Sequence, residues 1–178
     1  MGAPMHRQKT IISIACLLIL VAAAAFLVSP YIVIRKARQA AENGDTEALA
    51  HYVDYSAVQT SVEKALVSMA LQEMGIAEHT LWELDTAVLG LYVYPVAQQM
   101  ASPSAVAAML SGRAPDFGAV PEPDVLIKDK ALITMRYQGL NRFAVILSDY
   151  ENAPQSIAMI FRRKGLSWQM KAIVFQGI

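Results

Sequence analysis

The sequence predicts an α+β protein: an N-terminal transmembrane helix, then a helical half, then a four-stranded antiparallel sheet with helices packed on one face. Three observations carry this. Thr10 to Ile34 is a run of twenty-five residues without a charge. Apolar residues then recur at helical spacing as far as Gly112, and from Ala131 onward they alternate with period two. Accordingly residues 1–9 form a short basic N-terminus, 10–30 the membrane anchor and 31–178 a single α+β domain. Within that domain 31–112 is the helical half, 113–123 a linker loop and 124–178 the strands.

The eighteen residues Ile11 to Val28 are almost all Ile, Leu, Val, Ala and Phe. As a helix they span roughly 27 Å, close to the ~30 Å hydrocarbon core of a bilayer. A cleaved signal peptide is the rival reading, because Arg7 and Lys9 form a basic lead and Ala23-Ala24-Ala25 could be a cleavage site. The anchor is favoured, since cleavage after Ala25 would leave Phe26-Leu27-Val28 and Tyr31 to Ile34 at a new N-terminus. Arg7 and Lys9 before the run compete with Arg35, Lys36 and Arg38 after it, so the positive-inside rule has no clear sign. A basic lead followed by a first apolar segment favours the N-terminus inside and the C-terminus outside. Cys16 is the only cysteine, which excludes an intramolecular disulfide. Lipidation there is disfavoured by Ser13 three residues earlier, and Cys16 reads as a lipid-facing or helix-packing residue.

After the anchor about 150 residues remain, enough for one domain with a real core. Its halves differ in charge. Gln39 to Val125 holds twelve acidic residues with only Lys64 and Arg113 as bases, whereas Leu126 to the end has eight bases against Asp129, Asp149 and Glu151. Overall neutrality therefore hides a dipolar domain.

Within the acidic half, Ser29-Pro30 reads as a cap and first-turn pair, so a kink or restart is expected there. The helix from Tyr31 should stop at Asn43-Gly44. A short helix follows over Thr46 to Val53, and Ser56-Ala57-Val58-Gln59 has capping-box spacing for a third. Val58, Val62, Ala65, Leu66 and Met69 give that helix one apolar face, and Gly75 ends it. Between Asp85 and Arg113 lies a second charge-free stretch of twenty-seven residues. Only Ala87 to Ala97 is strongly apolar, and it contains Gly90 and Pro95, so a buried core helix is expected and not a second span. Ser102-Pro103 repeats the cap-plus-proline start for a helix over Ala105 to Leu110, closed by Gly112.

In the basic half the strands are Ala131 to Gln138, Arg142 to Ser148, Ser156 to Arg163 and Leu166 to Phe175. Phe143, Val145 and Leu147 share a face, as do Ile157, Met159 and Phe161, and as do Leu166, Trp168, Met170 and Ala172. Gly139-Leu140-Asn141 and Lys164-Gly165 are hairpin turns. Helices followed by consecutive antiparallel strands is the α+β pattern.

These residues also carry a resemblance. Ser29-Pro30-Tyr31 directly after a membrane helix, Ala40 to Asp45 leading to Val53-Asp54-Tyr55-Ser56-Ala57-Val58, Ala101-Ser102-Pro103 with Met109 to Gly112, and Phe161 to Trp168 resemble domain-of-unknown-function family 2939. That resemblance implies a short bacterial protein with one N-terminal membrane helix, and no activity or catalytic residue comes with it. Gln59 is a departure, since a base is expected there, and this speaks against an ion pair at the Val53 to Val58 block.

Candidate chemistry is sparse. His51 with Asp54, and His79 with Glu78, Glu83 and Asp85, are the places where imidazole and carboxylates lie close in sequence, short of the three or four convergent ligands a metal needs. His79 and Glu83 would share a helix face, and no second histidine joins them. No serine sits in a nucleophile-elbow or Ser-x-x-Lys context, and no Gly-rich phosphate loop is present. Asp54 reads as a turn or helix-start residue. Arg162, Arg163 and Lys164 form a basic hairpin tip near Lys171, with Trp168 beside it. Nucleic acid is an unsuitable partner for an exported, anchored domain, so these four residues are candidates for anionic headgroups or an acidic partner, with a solvated turn as the ordinary alternative.

The functional expectation is a non-catalytic binding or assembly module at the bacterial inner membrane. Its domain would be extracytoplasmic, its partners the lipid bilayer and envelope proteins, with no cofactor or metal. Binding of lipid or a small apolar ligand in a helix–sheet pocket is the first alternative, and an enzyme the second.

Overall fold

The structure is a computed structural model that describes residues 4–73, 86–113, 131–149 and 155–176. The described elements are α1 (Pro4–Glu42), α2 (Thr46–Tyr52), α3 (Tyr55–Glu73), α4 (Thr86–Met100), α5 (Pro103–Leu110), then β1 (Leu132–Gly139), β2 (Arg142–Ser148), β3 (Ser156–Lys164) and β4 (Ser167–Gln176). Thus an α+β architecture is what forms. The expected linker after Arg113, the helix stop at Gly75, and His79 with its neighbouring carboxylates lie outside the described residues.

α1 does not restart at Ser29-Pro30. It is one helix of 39 residues with Pro30 inside it. Among the described residues it holds the one segment long and apolar enough to cross a membrane, and side chains such as Leu17, Leu18, Ile19 and Leu20 are all exposed. From Pro30 onward the same helix enters the domain, burying Pro30, Ile34, Ala37 and Ala41 at helical spacing. Gly44 closes it at φ +69°, with Gly44 N–H on the Ala41 carbonyl (3.2 Å) and Asp45 N–H on that of Ala40 (2.9 Å). Asp45 then caps α2, its Oδ1 accepting from the Ala48 N–H at 2.9 Å.

The third helix starts two residues earlier than the Ser56 box predicts. Asp54 is the cap, its Oδ1 accepting from Ala57 N–H at 3.1 Å and its carbonyl from Val58 N–H at 2.9 Å. Gln59, which would return to the cap in a box, instead donates to Glu63 Oε1 at 2.9 Å. The cause is tertiary: Asp54 N–H is already bonded to the Met170 carbonyl at 3.0 Å, which holds the residue extended against β4. α4 continues through Pro95 and buries Val93, Ala97 and Met100. Ser102 caps α5 as expected (Ala105 N–H to Oγ, 3.2 Å), with Pro103 in its first turn.

Gly112 ends α5 at φ +72°, and a Cβ there would lie 3.1 Å from Ile133 Cδ1 on β1. Gly112→Ala is therefore expected to destabilise the domain by about 1 kcal/mol, from left-handed strain and a crowded contact. A urea midpoint equal to that of the parent chain would refute this.

The sheet order is β1-β2-β3-β4, all antiparallel. On the helix side, Phe143, Val145, Leu147, Ile157, Met159 and Phe161 from β2 and β3 are all buried, as are Val58 and Val62 of α3. These side chains fill the helix–sheet interface. On the other side Ala144, Ile146, Ala158 and Ile160 form a second buried cluster, so both central strands are apolar on two faces.

β4 departs from its simple alternation. Phe161 pairs with Met170 but Ile160 pairs with Ala172, which leaves Lys171 as an extra, bulged residue. Consequently Ala172 turns to the far face, away from Trp168 and Met170, and Ile173 enters the core. Leu166, expected to share the face of Trp168, sits in the turn and is 94% exposed.

Candidate functional site

Two polar constellations tie the helices to the sheet, and both gather residues far apart in sequence. The first surrounds Ser29. Pro30 has no N–H, so the carbonyl of Phe26 one turn earlier loses its helical donor. Ser29 Oγ donates to that carbonyl at 2.8 Å, and Arg163 Nη2 of β3 reaches it at 3.3 Å. Tyr137 O–H of β1 donates to the next carbonyl, Leu27, at 2.8 Å. Ser29 Oγ in turn accepts from Trp168 Nε1 at 2.9 Å and from Arg163 Nη2 at 3.4 Å, using the hydroxyl as donor and acceptor together. The sheet thus satisfies the backbone that proline exposes, and α1 passes through the position unbroken.

Aromatic rings surround this knot. The Arg163 guanidinium lies 3.5 Å from the Phe26 ring centroid and 4.4 Å from that of Trp168, stacked between the two. Phe143 meets Tyr31 and Tyr137 edge to face, each at 4.9 Å between centroids. Burial raises the Tyr137 phenol above its ordinary pKa; the Arg163 charge opposes this and Tyr31 adds to it, so Tyr137 stays a donor at neutral pH.

The second constellation is Asp54 with Lys171. The bulge at Lys171 directs its ammonium onto Asp54 Oδ2 as a half-buried ion pair. The pair joins residues 117 apart in sequence and corrects the expectation, drawn from Gln59, that the Val53 to Val58 block holds no ion pair. Asp54 is held below its ordinary value of 3.8, first by the Lys171 hydrogen bond, then by the Ala57 N–H, against a smaller opposing effect of burial, with the charges of Lys171 and Lys164 adding to the lowering. Val53 beside it makes a parallel bridge to Met170, so this segment also covers the edge of β4.

The four basic residues singled out in the sequence separate into two kinds. Arg163 and Lys171 are engaged internally, on α1 and on Asp54. Arg162 and Lys164 are exposed. Arg162 stands directly opposite Arg142 of β2, which the sequence reading had passed over. His51 is exposed with Nδ1 3.0 Å from the Glu47 carbonyl of its own helix, and no group of three metal-ligating side chains occurs among the described residues.

The model of a family described as a protein of unknown function, DUF2939, matches residues 19–109, just over half the chain. The chain belongs to the DUF2939 family. In this DUF2939 protein the matched residues run from the middle of α1 to the end of α5. They include Ser29-Pro30 and Asp54 but not their partners Tyr137, Arg163, Trp168 and Lys171, which lie on the sheet. No curated protein and no solved structure matches the chain.

Sequence reasoning missed the role of Ser29, Phe26 and Tyr137. The available signal was a Ser-Pro pair inside an apolar run, together with a lone Trp in the last strand. Each has an ordinary local explanation, and only the tertiary contact distinguishes them.

Proposed function

We propose that this DUF2939 protein is a single-pass inner-membrane protein of the bacterial envelope, with its domain outside the cytoplasm, acting as a non-catalytic binding or assembly module. The observation that supports this reading is the Ser29 knot. A span joined to its domain by a flexible linker merely tethers it, whereas α1 is clamped to three strands at Phe26 to Ser29 and continues as a core helix to Glu42. Such a domain presents a fixed attitude to the bilayer, which suits presentation of a surface to envelope partners.

The test has two readouts. Fusion of a periplasm-active phosphatase to the C-terminus should yield activity, and a fluorescent protein that matures only in the cytoplasm should stay dark. Site-specific photocrosslinking from exposed domain positions in intact cells should then trap discrete envelope proteins. Active reporters on the cytoplasmic side, or repeated recovery of the chain without crosslinked partners, would defeat the proposal.

A second reading draws on the cleft between α3 and β4, of about 370 Å³, lined by Ser61, Lys64, Met69, Gln72 and Phe175. A small amphiphile could lie there with its polar end at Lys64. Mass spectrometry of solvent extracts from gently purified protein should then show a stoichiometric compound that Met69→Trp excludes; extracts without one remove this reading.

A further inference from the structure

Both hairpins of the sheet turn at the same end, and Arg163 N–H of one donates to the Asn141 carbonyl of the other at 3.1 Å. Each turn projects a leucine: Leu140 is 74% and Leu166 94% exposed. That end of the sheet is the one clamped to α1. Counted from Thr10, a ~30 Å hydrocarbon core takes about 20 helical residues and closes near Ser29. The clamp at Phe26 to Ser29 therefore lies at the border of the apolar layer, where Tyr, Trp and Arg are favoured. Leu166 sits at this border, in a groove of about 520 Å³ that runs along α1 from Val21 and Ala25 past Ser29 to Ile32 and Val33. Because the clamp is rigid, an α1 that spans the bilayer carries this tip into the leaflet.

The charges above the tips fit the same boundary. Arg142 and Arg162 are cross-strand partners on the sheet face turned away from the helices, and Arg136, paired with the adjacent Ala144, lies diagonal to Arg142. All three are exposed, and among the described residues no carboxylate pairs with them. Like charges directly opposite each other repel unless an anion lies between them. Arg142 is two residues up the strand from Leu140, about 7 Å along the sheet, which is the depth of the headgroup layer over the hydrocarbon.

We infer that the hairpin end is a second membrane contact, with Leu140 and Leu166 inserted in the leaflet beside α1 and Arg142 and Arg162 together binding the phosphate of an anionic phospholipid. This inference rests on α1 being a membrane span. It makes the sheet a sensor of lipid composition held at fixed depth.

The experiment uses the full chain in vesicles. On a Cys16→Ala background, single cysteines at Leu140, Leu166 and, as an aqueous control, the exposed Glu47 are labelled with an environment-sensitive dye. Lipid-borne quenchers should reduce emission several-fold at Leu140→Cys and Leu166→Cys and leave Glu47→Cys unchanged. Adding phosphatidylglycerol to phosphatidylcholine vesicles should deepen the quenching, and Arg142→Gln with Arg162→Gln should abolish that increment. Tip labels that emit like the Glu47 control, or quenching indifferent to both anionic lipid and the arginines, would overturn the inference. Protection of the tips from an aqueous thiol reagent in native membranes but not in lipid vesicles would assign the patch to an acidic protein and overturn it too. Carbonate-resistant flotation of the unsubstituted chain reports the anchor separately. Flotation without tip quenching refutes the tip contact alone, and loss of flotation refutes the span and the contact together.

Discussion

Trp168→Ala is expected to destabilise the domain by about 3–5 kcal/mol, the usual range for removing a fully buried large aromatic side chain. Trp168 has no exposed surface, packs its ring against Phe143 and Tyr137, and carries the Arg163 guanidinium on its face. Its loss therefore leaves a cavity and at the same time removes the N–H donor to Ser29 Oγ and one of the two rings that flank Arg163. Denaturant unfolding in detergent micelles measures the total. Trp168→Phe separates the parts, since it keeps most of the buried area and removes only the N–H to Ser29, worth about 1 kcal/mol. Ser29→Ala combined with Trp168→Phe should cost less than the sum of the single changes, because one hydrogen bond is removed in each. Beyond stability, spin labels on α1 and on β3 should show one narrow distance distribution in the parent and a broad one in Trp168→Ala. A variant that unfolds within 1 kcal/mol of the parent, with the distribution still narrow, would mean that the Ser29 knot does not hold helix to sheet.

Asp54→Ala should cost about 2 kcal/mol at neutral pH, most of it from the lost N-cap of α3 and the remainder from a half-exposed ion pair, a class of interaction of small value. Asp54→Asn keeps a capping oxygen and removes the charge, so it isolates the pairing with Lys171. The pH dependence follows from the direction of the shift. Asp54 is lowered below 3.8 in the folded chain, so its charge contributes stability that is complete above that value and is lost as pH falls through the lowered one. The difference in unfolding free energy between the parent and Asp54→Asn should thus be constant from neutrality to about pH 5 and shrink in stronger acid. A difference that persists unchanged into strong acid would show that the carboxylate charge contributes nothing here.

The two constellations also mark where reading from sequence succeeds and where it stops. β2 begins and ends at Arg142 and Ser148 as its alternation predicts, and both hairpin turns form where Gly139 and Gly165 suggest. Gly44, Ser102 and Gly112 punctuate the helices as expected. In each case the decisive interactions reach only a few residues along the chain. The Lys171 bulge gave no such signal, because Leu166, Trp168, Met170 and Ala172 alternate without interruption, and the extra residue is recognised only against its partners in β3. Capping of α3 moved from Ser56 to Asp54 for the same reason: two acceptable caps lie two residues apart, and the bond from Asp54 N–H to Met170 chooses between them.

By itself the sequence determined an apolar segment of membrane length, a helical half followed by four antiparallel strands, and which residues of β2 and β3 face the helices. Those properties follow from composition and from periods of 3.6 and 2, which any stretch of chain expresses locally. Tertiary structure alone decided that α1 would run unbroken through Pro30, that Arg163 would turn inward while Arg162 stayed exposed, and that Lys171 would meet Asp54. The partners in those contacts stand 137 residues apart for Phe26 and Arg163, 139 for Ser29 and Trp168, and 117 for Asp54 and Lys171. A carbonyl stripped of its helical donor can be satisfied by water, by a restart or by another strand, and the local chain does not distinguish these outcomes. The assembled sheet does, because it brings an arginine, a tyrosine and a tryptophan to the one turn of α1 where backbone and hydroxyl acceptors are open.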